Sequence, residues 1–435
     1  MINIPETDQK RVVIVGAGFA GLTLAQQCLK NRFQVVLIDK NNYHQFQPLF
    51  YQVAMSGLEP SSIIFPLRKL FQKKSNAFIR VTEVSKIDTD RKQIHTPFGH
   101  ANYDYLVIAT GADTNFYGNE NIRKHSFPMK SVSEALILRN AILSDYEQAL
   151  TIPDFDERQQ FLDIVIVGGG ATGVEVAGAI AEMKQYILPK DYHEMDVNEI
   201  DIYLIQSAPR LLKSMSEKSS EKSEKFLTDL GVIVKKNIRV TDFDGKKVFL
   251  SDGSTIPTNK VIWAAGITGN KLKGLPEAVN APGGRIKVNT LNQVVGFEDV
   301  FAIGDVASVQ QDDLPYGHPQ VAQVAIQQGK RLSKNLKLLS DNKPPKPFKY
   351  NDLGAMATIG RNRAVVDLPR FSFAGFWAWT VWLFIHLFQI IGVKNKLFIF
   401  INWIWNYFTY DQSLRLIIKT EKQEIPEEID EKVEK

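Results

Sequence analysis

The sequence contains a single cysteine, Cys28, in 435 residues. It therefore excludes an intramolecular disulfide, and also a zinc or iron–sulfur site built from several cysteines. The formal net charge is +4, from 52 basic and 48 acidic side chains, which is too small a bias to indicate nucleic-acid binding. The first ten residues, MINIPETDQK, lack the apolar stretch of a secretory signal. We predict no metal site and no nucleic-acid partner.

The composition is that of a folded globular protein, with 44% hydrophobic and 23% charged residues. At roughly 150 residues per domain, the length indicates two or three domains. The last fifteen residues, 421–435, hold seven acids and three lysines. Such a charge run predicts a solvated acidic tail.

A glycine-rich loop lies near the start, in the string RVVIVGAGFAGLTLAQQ. Gly16, Gly18 and Gly21 form a G-x-G-x-x-G pattern between a β-branched strand and a helical segment. In this context the first glycine permits a tight turn, the second lets the backbone approach a pyrophosphate, and the third packs helix against strand. Asp39 ends the next strand, eighteen residues after Gly21, where a carboxylate binds ribose hydroxyls. The pattern predicts a dinucleotide site.

The pattern recurs 152 residues later, in the string IVIVGGGATGVEVAG. Gly168, Gly170 and Gly173 occupy the three glycine positions, again between a strand and a helix. The chain therefore contains an internal duplication and two nucleotide-binding units. Gln206 ends the next strand of the second unit, where an NAD site usually has a carboxylate. Because a neutral amide does not repel a ribose 2′-phosphate, NADH and NADPH both stay open as ligands.

Further strand ends complete the two units. They lie in the strings YDYLVIATGAD, VIWAAGITGN and VFAIGDVAS. Their end residues are Thr110 and Gly111, Ala265 and Gly266, and Gly304 and Asp305. Each string alone is compatible with an ordinary β-turn, but their joint occurrence in this order indicates a flavin-binding fold.

The segment 371–410 is the most apolar part of the chain. Lys394 and Lys396 are its only formal charges, and it holds five of the six tryptophans. We predict two amphipathic helices, 373–392 and 397–408, joined by a basic turn and lying in a membrane interface. One transmembrane helix at 373–392 is the alternative, and a buried hairpin or dimer contact is a third.

Three more strings narrow the interpretation: FQPLFYQVAMSGLEPSSIIFPLR (46–68), HPQVAQVAIQQGK (318–330) and LGAMATIGRNRAVVDL (353–368). Together with the two glycine-rich units, they resemble the type II NADH:quinone oxidoreductases, which are single-subunit, non-proton-pumping respiratory enzymes. The resemblance implies an α/β fold with two Rossmann-like dinucleotide-binding domains and a C-terminal membrane-associated amphipathic helical segment.

The resemblance also implies domain limits, cofactors and partners. An FAD-binding domain would comprise 10–118 and 283–345, an NAD(P)H-binding domain 119–282, and a membrane-anchoring region 346–420. FAD would be the cofactor, NADH the substrate with NADPH as a possible substitute, and membrane quinone the acceptor. The protein would be a peripheral homodimer on the inner face of the cytoplasmic membrane.

The resemblance also implies site residues, which are the positions of this sequence that match the family's motifs. The expected FAD ligands are Gly16, Gly18, Gly21, Asp39, Lys40, Thr110, Gly111, Gly304, Asp305 and Ala322. The expected NAD(P)H ligands are Gly168, Gly170, Gly173, Gln206, Ala265 and Gly266. Gln323 and Gln327 would orient the flavin or a quinone carbonyl, and Glu175 would position the nucleotide and supply a proton. Glu182, seven residues after Glu175 and so on roughly the same helix face, is either a second proton carrier or a solvated side chain, and the solvated side chain is the expectation.

Two other functions share the nucleotide loops. One is a soluble NAD(P)H oxidase or reductase that uses oxygen or another acceptor, which the tryptophan-rich segment disfavours because a soluble enzyme has no use for such a surface. The other is a non-catalytic FAD/NAD redox sensor. Sulfide:quinone oxidoreductases and disulfide reductases share the fold but need at least two cysteines, which this chain lacks.

Overall fold

A computed structural model describes residues 2–309, 311, 314–411 and 414–418. The predicted acidic tail at 421–435 lies outside these residues. The α-helices are α1 Phe19–Lys30, α2 Phe50–Ala54, α3 Leu67–Phe71, α4 Glu120–His125, α5 Val132–Ala149, α6 Phe155–Leu162, α7 Ala171–Tyr186, α8 Leu188–Asp191, α9 Glu217–Asp229, α10 Ala322–Ser340, α11 Phe376–Gln389 and α12 Val393–Thr409.

The strands fall into two parallel sheets and several small antiparallel ones. They are β1 Arg11–Val15, β2 Gln34–Asp39, β3 Tyr43–Gln45, β4 Ile64–Pro66, β5 Ala77–Val81, β6 Lys86–Asp88, β7 Gln93–Thr96, β8 Gly99–Asn102, β9 Tyr105–Ile108, β10 Ala112–Thr114, β11 Ile164–Val167, β12 Ile202–Gln206, β13 Ile233–Lys236, β14 Val240–Phe243, β15 Lys247–Leu250, β16 Thr255–Pro257, β17 Lys260–Trp263, β18 Ile267–Gly269, β19 Asn280–Ala281, β20 Arg285–Val288, β21 Val300–Ala302, β22 Ala307–Val309, β23 Ala355–Gly360, β24 Arg363–Asp367 and β25 Ser372–Ala374.

The first unit is built on a five-stranded sheet in the order β21-β9-β1-β2-β5. All its pairings are parallel. Runs such as RVVIV in β1 and YLVI in β9 are buried along their whole length, because both faces of a parallel sheet are covered. The chain leaves this unit after β10 and returns to it at β20, where Ile286 and Val288 share a core with Val13 of β1.

The second unit repeats this plan with the parallel sheet β13-β12-β11-β17. Its central strand β11, IVIV, is fully buried. In both units the central strand runs into the glycine-rich loop and then into a helix, α1 after β1 and α7 after β11. The predicted α/β fold with two Rossmann-like units is therefore confirmed.

The antiparallel pair β10–β18 connects the two units. The Thr110 hydroxyl donates to the Asn270 carbonyl at 2.6 Å, and the Asn270 side-chain amide donates to the Thr110 carbonyl at 3.3 Å. These reciprocal bonds join the segment after β9 to the segment after β18. The carboxyl ends of the two sheets are thus held next to each other.

Two glycines allow close helix contacts behind the site. A Cβ at Gly329 of α10 would lie 2.7 Å from the Ala20 carbonyl oxygen of α1, and a Cβ at Gly178 of α7 would lie 2.2 Å from the Ile359 carbonyl oxygen of β23. The first contact brings the N-terminal end of α10 to the first glycine loop. The second holds the C-terminal sheet β23-β24-β25 against α7.

The C-terminal helices differ in their bounds from the predicted 373–392 and 397–408. α11 ends at Gln389, and Gly392, at a φ of 89°, leads directly into α12 at Val393. The prediction of a basic turn is wrong, because Lys394 and Lys396 lie in the first turn of α12. Lys396 Nζ donates to the Phe388 carbonyl at 2.8 Å, where a cation offsets the dipole of α11.

Within the described ranges, no helix is both long enough and apolar enough to cross a membrane.

Candidate active site

The three glycines of the first loop have different surroundings. A Cβ at Gly16, whose φ is +105°, would lie 2.3 Å from the Ala109 carbonyl oxygen, and a Cβ at Gly21 would lie 1.9 Å from the Gly16 carbonyl oxygen. The packing of the protein itself therefore requires these two glycines. A Cβ at Gly18 would meet no atom within 4 Å. Gly18 thus borders open space over a helix N-terminus, which suits a pyrophosphate.

The Asp39 carboxylate lies beside this loop at the end of β2. Its oxygens accept hydrogen bonds from the N–H groups of Ala17 at 2.6 Å and Asn41 at 2.7 Å. Burial raises the pKa of Asp39, and the two N–H donors oppose that rise. Asp39 is therefore held at the position where a ribose ligand is expected.

A cavity of about 750 Å³ extends from the first loop to α7 and α11, a size typical of cofactor sites. The expected FAD ligands that line it are Gly16, Gly18, Asp39, Lys40, Thr110, Gly111, Gly304, Asp305 and Ala322. Gly21 does not line it, because it packs α1 against the loop. Residues from strand ends far apart in the sequence thus meet around one cavity, and the space over Gly18 is compatible with a dinucleotide such as FAD.

Lys130 is a cavity residue that the sequence analysis missed. It faces the cavity together with Asp305. Burial raises the pKa of Asp305, and the positive charges of Lys130 and Arg285 lower it. The Arg285 guanidinium is engaged by backbone carbonyls, including that of Tyr316 at 2.8 Å. Of the two cations near Asp305, Lys130 is therefore the one that a ligand in the cavity can contact.

The second glycine loop repeats the geometry of the first. A Cβ at Gly168, whose φ is +111°, would lie 2.5 Å from the Ala264 carbonyl oxygen, and a Cβ at Gly173 would lie 1.8 Å from the Gly168 carbonyl oxygen. A Cβ at Gly170 would meet no atom within 4 Å. The second unit therefore offers the same open space for a second dinucleotide.

Gln206 occupies in the second unit the place of Asp39 in the first. Its Oε1 accepts a hydrogen bond from the Gly169 N–H at 3.1 Å, as Asp39 does from Ala17. Its Nε2 donates to the Arg210 carbonyl at 3.4 Å. The predicted alignment of the two strand ends is thus present in the structure, and the Gln206 side chain is neutral there.

Ala265 and Gly266 lie beside Tyr117, which the sequence analysis missed. The Tyr117 hydroxyl donates to the Ala265 carbonyl at 2.9 Å, and a Cβ at Gly266 would lie 2.3 Å from that hydroxyl. Tyr117 belongs to the segment after β10 and is largely exposed. The connecting segment therefore contributes to the surroundings of the second site.

Glu175 lies on α7 in a wall that the large cavity shares with a smaller one. Burial raises the pKa of this carboxyl to about 8. The Thr358 N–H donates to it at a long 3.5 Å. The Trp382 indole N–H faces it and lowers its pKa, but makes no hydrogen bond of normal geometry. At pH 7 the Glu175 carboxyl is therefore mostly protonated.

The smaller cavity has a volume of about 130 Å³ and lies beneath the C-terminal helices. Its walls come from α2, α7, β23, α11 and α12. Trp403 closes one side, and its indole N–H donates to Gln52 Oε1 at 2.8 Å. Trp382 is buried beside Glu175, so this tryptophan of the predicted interfacial helices faces the protein. Trp377 and Trp405 do face outward.

Glu182 lines the same smaller cavity. It accepts a hydrogen bond from the Arg361 N–H at 2.5 Å, and burial raises its pKa. The prediction of a solvated side chain is therefore wrong. The sequence separation of 179 residues between Glu182 and Arg361 explains why the contact was not foreseen.

Gln323 and Gln327 lie outside both cavities, against the loop 351–354. Gln323 Nε2 donates to the Gly354 carbonyl at 3.1 Å. Gln327 exchanges two hydrogen bonds with the Asn351 backbone, at 2.9 and 3.0 Å. The two side chains share a helix face, as predicted, but their amides bind protein backbone. The structure does not bring them to the cavity surface.

His386 of α11 lines the large cavity near Glu175. Its ring stacks on Trp382 with 4.0 Å between centroids, and its Nδ1 donates to the Trp382 carbonyl at 2.8 Å. Burial lowers the pKa of His386 to about 4, so the ring is neutral at pH 7. His386 thus contributes a neutral ring to the cavity wall.

Cys28 of α1 has a packing role. Its thiol is buried and lies 3.7 Å from Ser333 Oγ, and burial raises its pKa to about 12. The thiol therefore stays protonated and unreactive at neutral pH.

Comparisons with known proteins agree with this architecture. The family model described as pyridine nucleotide-disulphide oxidoreductase matches residues 10–329, and the NDH2 C-terminal domain matches 353–410. The chain is 35% identical over 408 residues to the type II NADH:quinone oxidoreductase Ndh of Mycobacterium tuberculosis, covering 90% of this chain and 87% of that protein. It is 29% identical over 376 residues to the type II NADH:quinone oxidoreductase of Staphylococcus aureus, covering 82% and 89%.

Solved structures share the fold. NDH2 from Plasmodium falciparum in complex with NADH has a TM-score of 0.85 at 22% identity, covering 94% of this chain and 100% of that one. The sulfide:quinone oxidoreductase of Aquifex aeolicus has a TM-score of 0.72 at 21% identity, covering 92% and 95%. From the family matches and the sequence identity over nearly the whole length, we conclude that the chain belongs to the type II NADH:quinone oxidoreductases.

Proposed function

We propose that this chain oxidises NADH and reduces a membrane quinone by way of a bound FAD. The observation that carries the proposal is the position of Glu175, whose carboxyl forms part of the walls of both cavities. A group that holds a proton thus lies between the proposed flavin site and the space beneath the C-terminal helices. Turnover of NADH with menadione tests the proposal, with FAD content measured on the same sample. An FAD-loaded protein that does not reduce menadione would contradict it.

In this proposal each of the two glycine loops binds a different dinucleotide. FAD would lie in the domain 10–118 and 283–345, with its pyrophosphate over Gly18 and its ribose at Asp39. NADH would lie in the domain 119–282, with its pyrophosphate over Gly170. Each pyrophosphate would meet the N-terminal end of a helix, where free N–H groups and the helix dipole favour an anion.

Bound FAD would accept a hydride from NADH and pass two electrons to the quinone. The residues of the chain orient the ligands and handle the proton. We place the quinone ring near the shared wall, where Tyr51 and Glu175 face both cavities. Gln323 and Gln327 would act indirectly, because they hold the loop 351–354 that leads into β23.

Gln206→Glu is expected to separate the two nicotinamide dinucleotides. Glu can keep the hydrogen bond from the Gly169 N–H, so kcat/KM for NADH should change little. The new carboxylate would repel the 2′-phosphate of NADPH, and kcat/KM for NADPH should fall about tenfold, which corresponds to ~1.4 kcal/mol. Steady-state kinetics with both substrates and menadione measures the ratio.

Gln148→Glu is the matched control, because it adds the same charge at an exposed site on α5. It should leave the NADH to NADPH ratio unchanged. If wild-type protein already rejects NADPH completely, Gln206 does not set the preference.

We propose that the outer surface of α11 and α12 binds the membrane. Its exposed large apolar side chains are Phe376, Trp377, Phe384, Phe388, Val393, Leu397, Phe398, Phe400, Ile401, Ile404, Trp405 and Phe408. An exposed apolar area of this extent is typical of a membrane or protein interface. The short helices and their tryptophans suit a position in the interfacial plane.

Basic side chains border this apolar surface and support a lipid partner. Lys394 and Lys396 lie at the start of α12, and Lys69 of α3 lies 5.5 Å over the Phe65 ring. A Cβ at Gly392 would lie 2.7 Å from the same ring. Since Gly392 directly precedes α12, the start of α12 with its two lysines lies near Lys69. Anionic headgroups attract such side chains by about 1 kcal/mol each.

The triple variant Phe398→Glu, Ile401→Glu, Trp405→Glu is expected to leave the membrane. All three side chains are more than half exposed on α12, so the fold should tolerate the change. Each one buries apolar surface worth about 2 kcal/mol when it enters the interface. Sedimentation with vesicles of mixed zwitterionic and anionic lipids should move most of the protein to the supernatant, while FAD content and menadione turnover persist.

Ile137→Glu on α5 serves as the control, because Ile137 is 57% exposed but belongs to another surface. It should sediment like wild type. Vesicle binding by the triple variant at the wild-type level would contradict the proposed surface.

We also propose, from the membership of this family, that the protein is a homodimer and that it lies on the inner face of the cytoplasmic membrane. Sedimentation velocity in detergent measures the oligomeric state. Protease access in inside-out vesicles tests the location, because the flavin domain should be cleaved from the cytoplasmic side.

A further inference from the structure

The carboxyl of Glu182 shares the smaller cavity with that of Glu175. The two residues are seven positions apart on α7, so they lie on the same helix face about 10 Å apart along the axis. The cavity between them is also lined by Tyr51 of α2. Its volume of about 130 Å³ is large enough to hold water molecules, and its polar lining can bind them. Two carboxyls are thus connected by a space that water can fill.

Among the residues that the structure describes, Glu182 forms no direct ion pair. Its hydrogen bond comes from the Arg361 main-chain N–H. The Arg361 guanidinium instead donates to the Asn406 and Tyr407 carbonyls at the end of α12, at 2.5 and 2.8 Å, and lies over the Tyr410 ring. The guanidinium therefore completes the last turn of α12 and does not pair with the carboxylate.

Several titratable and charged groups of the described residues face Glu182, and Tyr407 of α12 lines the same cavity. Arg361 and Arg363 act on it from the β23–β24 hairpin, Tyr51 from α2, and Tyr186 from its own helix. The cavity residues of α11 and α12 are uncharged. Burial outweighs the two arginines and raises the pKa of Glu182, so this carboxyl takes up a proton more readily than a surface glutamate.

The proposed reaction needs a proton from solvent at each turnover. NADH and quinone give NAD⁺ and quinol only if one H⁺ is added, because the hydride carries two electrons and one proton. Glu175 can give that proton to a quinone oxygen. Its carboxylate must then be reprotonated before the next turnover, and the smaller cavity, whose wall includes Glu175, offers a route for that proton.

We propose that Glu182 reprotonates Glu175 through water in the smaller cavity, as a proton-relay residue. This inference rests on the proposed quinone reductase function. In each cycle the Glu182 O–H bond breaks and a proton moves through water to the Glu175 carboxylate, where a new O–H bond forms. Glu182 then takes a proton from solvent. No electron moves in this step, and the overall uptake is one proton per NADH.

The test is Glu182→Gln, studied as two separate half-reactions of the FAD-loaded protein. Flavin reduction by NADH in stopped flow should be unchanged. Steady-state turnover with menadione should fall about tenfold above pH 7, less than the roughly 100- to 10,000-fold contributed by a group that transfers a proton directly to the reacting molecule, because solvent can still reprotonate Glu175 slowly. The loss should shrink at lower pH, because solvent then protonates Glu175 more readily. Added formate, a small carboxylic acid buffer, should restore part of the rate.

Two further variants separate a relay from a structural role. Glu221→Gln changes an exposed glutamate of α9 and should behave as wild type. Glu182→Asp keeps the carboxyl, so it should retain most of the turnover but show a larger solvent deuterium isotope effect. It also keeps the test available if the glutamine variant does not fold.

The inference is overturned if Glu182→Gln turns over quinone at the wild-type rate at every pH. It is equally overturned if the variant slows both half-reactions alike and formate has no effect, because a structural role would then suffice. A wild-type protein that never reduces quinone would instead refute the proposed function, so the two failures can be told apart.

Discussion

Gly18→Val is expected to give a folded but colourless protein. Gly18 has a φ of −67° and a ψ of −166°, which valine adopts, and its Cβ would meet no protein atom within 4 Å. The new side chain would fill the space where the FAD pyrophosphate is proposed to lie. Losing two charge-assisted hydrogen bonds would weaken FAD binding by about 4 kcal/mol, or roughly 1,000-fold. Flavin absorbance per protein and a thermal melt by circular dichroism measure the two effects.

Gly170→Val is the matched variant in the second unit. Its φ of −77° and ψ of −177° are equally permissive, and its Cβ also meets no atom within 4 Å. This protein should be yellow, with full FAD content and normal reduction by dithionite. Reduction by NADH should be slower by a factor of about 100 or more at a fixed NADH concentration, because the same contacts to the second pyrophosphate are lost.

Gly16→Val shows why the choice of glycine matters. Its Cβ would lie 2.3 Å from the Ala109 carbonyl oxygen at a φ of +105°, so this variant should lose stability as well as FAD. If Gly18→Val kept its FAD, or if Gly170→Val lost it, the assignment of FAD to the first loop and NADH to the second would be wrong.

The glycine loops could be predicted because their requirements are local. A strand, a turn that needs a positive φ, and a helix that must pack closely are all encoded within about ten consecutive residues. The duplication then identified Gly168 and Gly170 as the equivalents of Gly16 and Gly18. It also identified Gln206 as the equivalent of Asp39, since each residue ends the second strand of its unit. Local chemistry and repetition together were sufficient for the two Rossmann-like units.

The smaller cavity could not be predicted, because five separate elements build it. The seven-residue spacing placed Glu175 and Glu182 on one face of α7, but nothing local indicates that Arg361 and the C-terminal helices cover that face. The same limit applies to Gln323 and Gln327. Their common helix face was foreseen, whereas the loop 351–354 that binds their amides comes from another part of the chain.

The C-terminal helix bounds also depended on distant contacts. Asn395 in the first turn of α12 donates to the Ile64 carbonyl at 3.2 Å, and Lys396 donates to the Phe388 carbonyl. These contacts stabilise a helix start where the charge pattern alone indicated a basic turn between two helices. The apolar surface itself was visible in the sequence, since it depends only on composition and helical periodicity.

Glu175→Gln is expected to slow quinone reduction about 100-fold while leaving flavin reduction by NADH within a factor of about three, in line with the loss of a general acid. Burial raises the pKa of Glu175 to about 8, so this carboxyl is mostly protonated at pH 7. Glutamine is similar in shape to the protonated acid and is also uncharged. The fold and the thermal midpoint should therefore be preserved, and only the transferable proton is removed.

The raised pKa of Glu175 also predicts how the rate of quinone reduction depends on pH. The proton of Glu175 is available below pH 8 and is lost as the pH rises through that value. The rate of flavin reoxidation by menadione in wild-type protein should therefore fall above about pH 8, and Glu175→Gln should lack this step in its profile. Stopped-flow spectroscopy of the two half-reactions at several pH values measures both quantities. If Glu175→Gln slows both half-reactions equally and leaves the pH profile unchanged, Glu175 positions the nucleotide and does not supply the proton. A misplaced nicotinamide would slow the hydride step, which precedes any proton transfer to quinone.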